Sequence, residues 1–262
     1  ELYFEDYPTP IREVHLGNGD HDEYTWEDPT VGGMYSIGAD WAKEKDKTVI
    51  AVLRTDVKPR RLVRLVRINR RPWPFMIDIF NTAIRAYHAN AFHDGTGLGN
   101  VVNDYVDHSD TLRKFVMVGR PRTELLLDYI TAFEHGHYRL PVIKPNEEHQ
   151  GVPINPMYRA HRSTTVSDVY APGQWNSHLP DDMAAMALAH RAAEHLPQPV
   201  HDGFEIPKDG VYRRADQAFH VTPGDDGTMV AREGEVTVVD ERYSGGQFVV
   251  GSGEPSWEVS SL

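Results

Sequence analysis

The sequence predicts an α/β domain with a mixed sheet flanked by helices, and three observations predict it. Residues 34–41, 48–54 and 61–69 are strand-like runs joined by short polar links, which suits an antiparallel meander. Helical and strand-like patterns then alternate to about residue 194, which places helices on the faces of the sheet. Composition shifts at both ends, so the domain carries an appendage on each side.

The first 33 residues mix Pro, Gly, Asp and aromatics without sustained periodicity and read as an extended arm or linker. In 34–41, Met34, Ser36, Gly38 and Asp40 share one face and Tyr35, Ile37, Ala39 and Trp41 the other, a buried strand with one roomy and one crowded side. Pro72 and Pro74 open a helix over 73–88, with Phe75, Ile79, Ala83 and Tyr87 at helical spacing. A short strand over 90–94, a short helix over 98–106 and a strand over 114–118 follow. Residues 121–135 form an amphipathic helix stopped by Gly136. Residues 138–172 read as irregular, and 181–194 as an alanine-rich helix. The expected division is therefore an arm over 1–33, the α/β domain over 34–198 and an acidic extension over 199–262. In that extension Gly-rich turns separate short β-branched runs such as 235–239 and 247–250, so it is either a small β appendage or disordered.

The formal charge of −12 opposes a nucleic-acid partner until its distribution is considered. Residues 1–30 carry one basic and nine acidic groups and 199–262 carry five and twelve, leaving 21 basic against 18 acidic between them. A mildly basic middle between acidic flanks is compatible with DNA. The chain has no cysteine, which excludes disulfides, thiolate metal sites and a cysteine nucleophile. No apolar run approaches the roughly 20 residues of a membrane span, and the N-terminal residues do not read as a signal peptide, so a cytosolic location and no membrane partner are expected.

Asp40 ends the first strand, Asp94 ends a later one, and Asp181 and Asp182 begin a helix. Strand ends and a helix start can meet above one sheet edge. Carboxylates gathered there repel one another unless a divalent cation neutralises them, and oxygen-only donors favour Mg²⁺ or Mn²⁺. Ser36 and Gly38 leave room on the face of Asp40, Gly95, Gly97 and Gly99 allow a sharp turn after Asp94, and Ala184, Ala185, Ala187 and Ala189 let the last helix lie close to the sheet. An isolated aspartate at a strand end is otherwise a turn former, and Asp181 and Asp182 would serve as helix caps.

Residues 37–42 with 46–50, residues 94–99 with 102–104, and residues 178–189 resemble, in that order, the three acidic motifs of the C-terminal nuclease domain of phage terminase large subunits. The resemblance spans roughly 34–196 and implies an RNase H-like fold and endonucleolytic cutting of concatemeric viral DNA during packaging. It implies Asp40 and Asp94 as metal ligands and one of Asp181 and Asp182 as the third, Asp182 being favoured because it matches the second of the family's paired acids. Asp46 becomes an outer or substrate-dependent ligand and His178 a nearby metal or water ligand, around two ions. Double-stranded DNA, the portal and the small terminase subunit are the implied partners, in the cytoplasm of an infected host cell. No Gly-x-x-x-x-Gly-Lys-Ser/Thr loop occurs, so the packaging ATPase is expected outside this chain.

Phosphate contacts are expected from Lys43, Lys45 and Lys47 beside Asp40, and from the run containing Arg61, Arg64 and Arg67, which reads equally as a solvated strand face. Three rival functions remain: an actin-like or sugar-kinase-like phosphotransferase, a junction resolvase or transposase core, and a non-catalytic module docking onto the packaging motor.

Overall fold

The computed structural model describes residues 4–5, 9–16, 20–42, 46–97, 102–106, 110–141, 148–149, 152–153, 156–170, 179–195, 197, 219–223, 229–233, 248–250 and 257–259. Its centre is the expected meander. Strands β4 (Tyr35–Asp40), β5 (Thr48–Arg54) and β6 (Arg60–Ile68) run antiparallel in sequence order. Helix α1 (Trp73–Tyr87) then carries the chain across one face to β7 (Asn90–Asp94), parallel to β4, and β8 (Leu112–Phe115) extends that edge in parallel. The fold is an RNase H-like mixed sheet with helices on both faces.

Two hydrophobic cores divide the faces. Tyr35, Ile37, Ala39, Ile50, Val52 and Val66 pack beneath Met76, Ile79, Phe80, Ala83 and Tyr87 of α1. On the other side Val49, Ala51, Leu53, Leu62 and Leu65 meet α2 (Gly119–Glu134) and α5 (Asp181–His195). Strict alternation along β4 and β5 therefore serves two buried faces at once, which fits the nearly continuous apolar run of β5.

The sheet is larger than the sequence suggested. Within the segment read as an arm, β2 (Arg12–Leu16) and β3 (His21–Thr25) form an antiparallel hairpin, and β3 pairs with the C-terminal half of β6. Residues 138–172 also hold regular structure: β9 (Tyr138–Pro141), parallel to the start of β6, with α3 (Pro156–Ser163) and α4 (Val166–Tyr170). With β1 (Phe4–Glu5) on β9, nine strands result. β10 (Glu148–His149) and β11 (Val152–Pro153) form a separate pair.

The strand expected at 114–118 starts earlier, at Leu112, and ends at Phe115. Of the helix expected over 98–106, residues 98–101 lie outside the described residues, and Val102 to Val106 close a turn through the Tyr105 and Val106 amides. Beyond 199, β12 (Phe219–Pro223), β13 (Met229–Glu233), β14 (Phe248–Val250) and β15 (Trp257–Val259) make a four-stranded sheet, the β appendage among the two alternatives; the run 235–239 lies outside the described residues. Among the described residues no helix is long and apolar enough to cross a membrane.

Candidate active site

Strand register brings the first two carboxylates together. β4 and β7 pair in parallel through Ala39 and His93, and one further residue along each strand sets Asp40 beside Asp94. Neighbouring strands are about 4.8 Å apart, so the two acids project from one sheet edge as neighbours. Gly95 N–H donates to Phe115 O at 2.7 Å and Gly97 adopts φ +56°, so the chain turns away immediately after Asp94. The turn is held by the Asp94 carboxylate itself, which accepts the Thr96 N–H at 2.8 Å.

The third carboxylate arrives from above. α5 lies across β4, β5 and β7, and Gly38 makes that approach close. A Cβ on Gly38 would stand 2.0 Å from Ala185 O and 2.3 Å from Ala189 N. The roomy face of β4 is thus filled by helix backbone around Gly38, a correction to the expectation that Gly38 leaves room on the face of Asp40. The alanines of α5 do what the sequence implied and let the helix sit on the sheet.

That docking separates the two aspartates at the start of α5. The Asp181 carboxylate accepts the Lys47 N–H at 2.9 Å, at the turn between β4 and β5. Asp182, one residue and about 100° further around the helix, is buried and paired with Arg67 at 3.1 Å. The two expected third ligands thus part: Asp181 is bonded at the Lys47 amide and its charge reaches Asp40, whereas Asp182 is paired with Arg67 of β6. Electrostatics agree. Burial first, then the charges of Asp181, Asp94 and Asp46, hold the Asp40 carboxyl well above the ordinary carboxylate range, against a weaker opposing hydrogen bond from the Trp41 amide. The charges of three aspartates, from a strand, a turn and a helix, thus reach the Asp40 carboxyl.

The basic candidates are scattered. Arg64 is 4% exposed and paired with Glu23 at 2.8 Å, and Arg67 is taken by Asp182, so neither presents a free guanidinium to DNA. Arg61 is exposed but sits opposite Arg54 at the far end of the sheet from Asp40. Lys47 is at the site, its Nζ 3.2 Å from Asp22 Oδ2. Lys43, Lys45 and His178 lie outside the described residues.

Asp22 and His15 are the functional candidates that the sequence reading missed. Asp40, Val49, Arg67, Asp22 and His15 lie opposite one another in a row across β4, β5, β6, β3 and β2. Burial would raise the Asp22 carboxyl, but the hydrogen bond with His15 and the charge of Lys47 outweigh it and hold Asp22 low. The available signal was a run of charged residues, His21-Asp22-Glu23, inside a short alternating segment.

Oxygen donors around a half-buried carboxyl suit a hard divalent cation. Among the described residues no three histidines or carboxylates stand close enough to grip an ion as they are. Asp94 and Asp181 each hold a backbone N–H with one carboxylate oxygen.

The chain is similar to several solved structures. The large terminase nuclease of thermophilic phage G20c with bound zinc matches with a TM-score of 0.50 at 19% identity, covering 70% of this chain and 92% of that one. The same nuclease with bound magnesium gives 0.48 at 20% identity, covering 70% and 91%. The large terminase nuclease domain of Thermus phage P74-26 gives 0.48 at 19% identity, covering 71% and 90%. No protein-family model matches the sequence, and neither does any curated protein.

Proposed function

We propose that the chain is a metal-dependent DNA endonuclease that cuts concatemeric viral DNA during genome packaging. The observation that carries this reading is the half-buried Asp40 carboxyl at the end of β4, next in register to Asp94 of β7 and flanked also by the charges of Asp181 and Asp46. A site that gathers like charges is unfavourable alone and becomes favourable when it holds cations. The similarity in fold to a terminase nuclease solved with bound zinc supports the same reading.

Asp40, Asp94 and Asp181 would hold two Mg²⁺ or Mn²⁺ ions, with the exposed Asp46 as an outer ligand. Bound there, the ions would supply a nucleophilic water at neutral pH and stabilise the departing 3′ oxygen. The protein's own part is positional. Asp40 and Asp94 come from adjacent strand ends of a rigid sheet, and Asp181 from a helix fixed by Gly38 below and by the Arg67–Asp182 pair beside it. The remaining ammonium N–H groups of Lys47, beside its bond to Asp22, would meet a phosphate of double-stranded DNA, contacted without base readout. Portal, small terminase subunit and a packaging ATPase outside this chain would be the partners, in the infected cell's cytoplasm.

Plasmid nicking with Mn²⁺ or Mg²⁺ tests the reading. Asp40→Asn, Asp94→Asn and Asp181→Asn should each abolish cleavage in a folded protein. Wild-type activity in Asp40→Asn would sink the assignment. Stabilisation by ATP, with no cleavage, would favour a phosphotransferase instead.

A further inference from the structure

The charged row across the sheet extends beyond the carboxylates, and one lysine joins its two parts. Lys47 is held at both ends. Its Nζ lies 3.2 Å from Asp22 Oδ2, and its backbone N–H donates to Asp181 Oδ2 at 2.9 Å. The stem of its turn is closed by Thr48 Oγ1, which accepts the Ala42 N–H at 2.9 Å and donates to Ala42 O at 2.7 Å. Asp22 is only 1% exposed, so its charge needs partners inside the protein. His15 Nδ1 supplies one at 3.0 Å, and the other ring nitrogen lies 3.2 Å from Glu13 Oε2. The hairpin β2–β3 thus grips the lysine that grips the start of α5.

We infer that Asp22 is a positioning residue of the nuclease site: by fixing the Lys47 side chain it holds the Lys47 amide against Asp181, and so sets where the Asp181 carboxylate stands relative to Asp40. The N-terminal hairpin is then a working part of the site. Misplacing a ligand by a fraction of an ångström weakens metal binding and slows chemistry without touching the reacting atoms. The inference rests on the nuclease reading for the chemistry served, whereas the chain of contacts from Asp22 to Asp181 belongs to the metal-free protein and is tested there first.

The experiment compares wild type, Asp22→Asn, Lys47→Gln and the double variant, each in the full chain. Without metal, hydrogen exchange at the Lys47 amide should accelerate about five- to tenfold in both single variants, the worth of one hydrogen bond, while the Ile50 and Val52 amides of β5 hold their rates. Mn²⁺ affinity, read by calorimetry, should fall roughly tenfold in Asp22→Asn, and the double variant should bind no more weakly than Lys47→Gln alone. Cleavage should slow through kcat at saturating Mn²⁺. Unchanged Lys47 exchange, or losses of affinity that add in the double variant, would overturn the inference. If Asp22→Asn does not fold, Lys47→Gln decides by the same exchange measurement. A wild type that binds Mn²⁺ but never cuts DNA sinks the nuclease reading alone, since exchange and affinity still judge Asp22.

Discussion

Adding one methyl group at Gly38 tests how the site is assembled. A Cβ there would lie 2.0 Å from Ala185 O, 2.3 Å from Ala189 N and 2.9 Å from Leu188 C. All three are backbone atoms of α5, so no side chain can rotate away. Restoring ordinary contact requires strand and helix to separate by about 1–1.5 Å, and overpacking of a closed core costs about 1–3 kcal/mol, occasionally more. Gly38→Ala should reach the upper end, about 3 kcal/mol, because the alanines of α5 are fully buried against this sheet. Asp181 lies one helical turn before Ala185, so the same shift moves its carboxylate about 1 Å from its place beside the strand ends, enough to slow cleavage about a hundredfold. Urea denaturation and Mn²⁺-dependent nicking, measured on one preparation, read both effects. Ser36→Ala on the same strand face is the control. Its Oγ is buried without a hydrogen-bond partner among the described residues, so removing it should be neutral or stabilising by up to about 1 kcal/mol. A Gly38→Ala protein with unchanged stability and rate would refute the packing argument and the placement of Asp181 with it.

The two aspartates at the start of α5 should behave differently. Asp181→Asn should lose cleavage with little change in stability, whereas Asp182→Asn, which strands the half-buried Arg67, should lose about 2–3 kcal/mol in urea denaturation. Arg64→Gln should destabilise by a similar amount through Glu23 yet leave the salt dependence of DNA binding unchanged, while Lys47→Gln should reduce the salt slope by about one phosphate contact. Acid sensitivity should follow His190, whose pKa burial lowers to about 4 from an ordinary 6.5. The unfolded chain takes up that proton first, so the histidine's contribution is intact above about 6.5 and is lost as pH falls from there toward 4. His190→Gln should flatten that limb of the stability–pH curve, and an unchanged slope would contradict the burial of this ring beside Tyr138.

Local pattern carried much of the fold. β4, β5 and β6 follow from β-branched runs joined by short links, and α1, α2 and α5 from apolar positions at helical spacing, because these signals reside in neighbouring residues. The hairpin β2–β3 escaped that logic. All five residues of β3 are buried, yet three of them are His21, Asp22 and Glu23. Such a segment looks solvated until Arg64 and Lys47, more than twenty positions away, supply the opposite charges. Residues 138–172 were missed for a related reason: β9 is four residues long and owes its place to β6, not to its own pattern.

By itself the sequence determined the chemical inventory. It supplied aspartates at two strand ends and one helix start, no cysteine to compete for a metal, and small residues along α5. Tertiary structure alone decided which acids meet. Asp40 and Asp94 become neighbours through the pairing of two strands some fifty residues apart. Asp181 accepts the Lys47 amide and Asp182 pairs with Arg67, because consecutive helical residues point about 100° apart and the seating of α5 on Gly38 fixes their directions. Long-range packing sets that rotation, and no local signal in the chain encodes it.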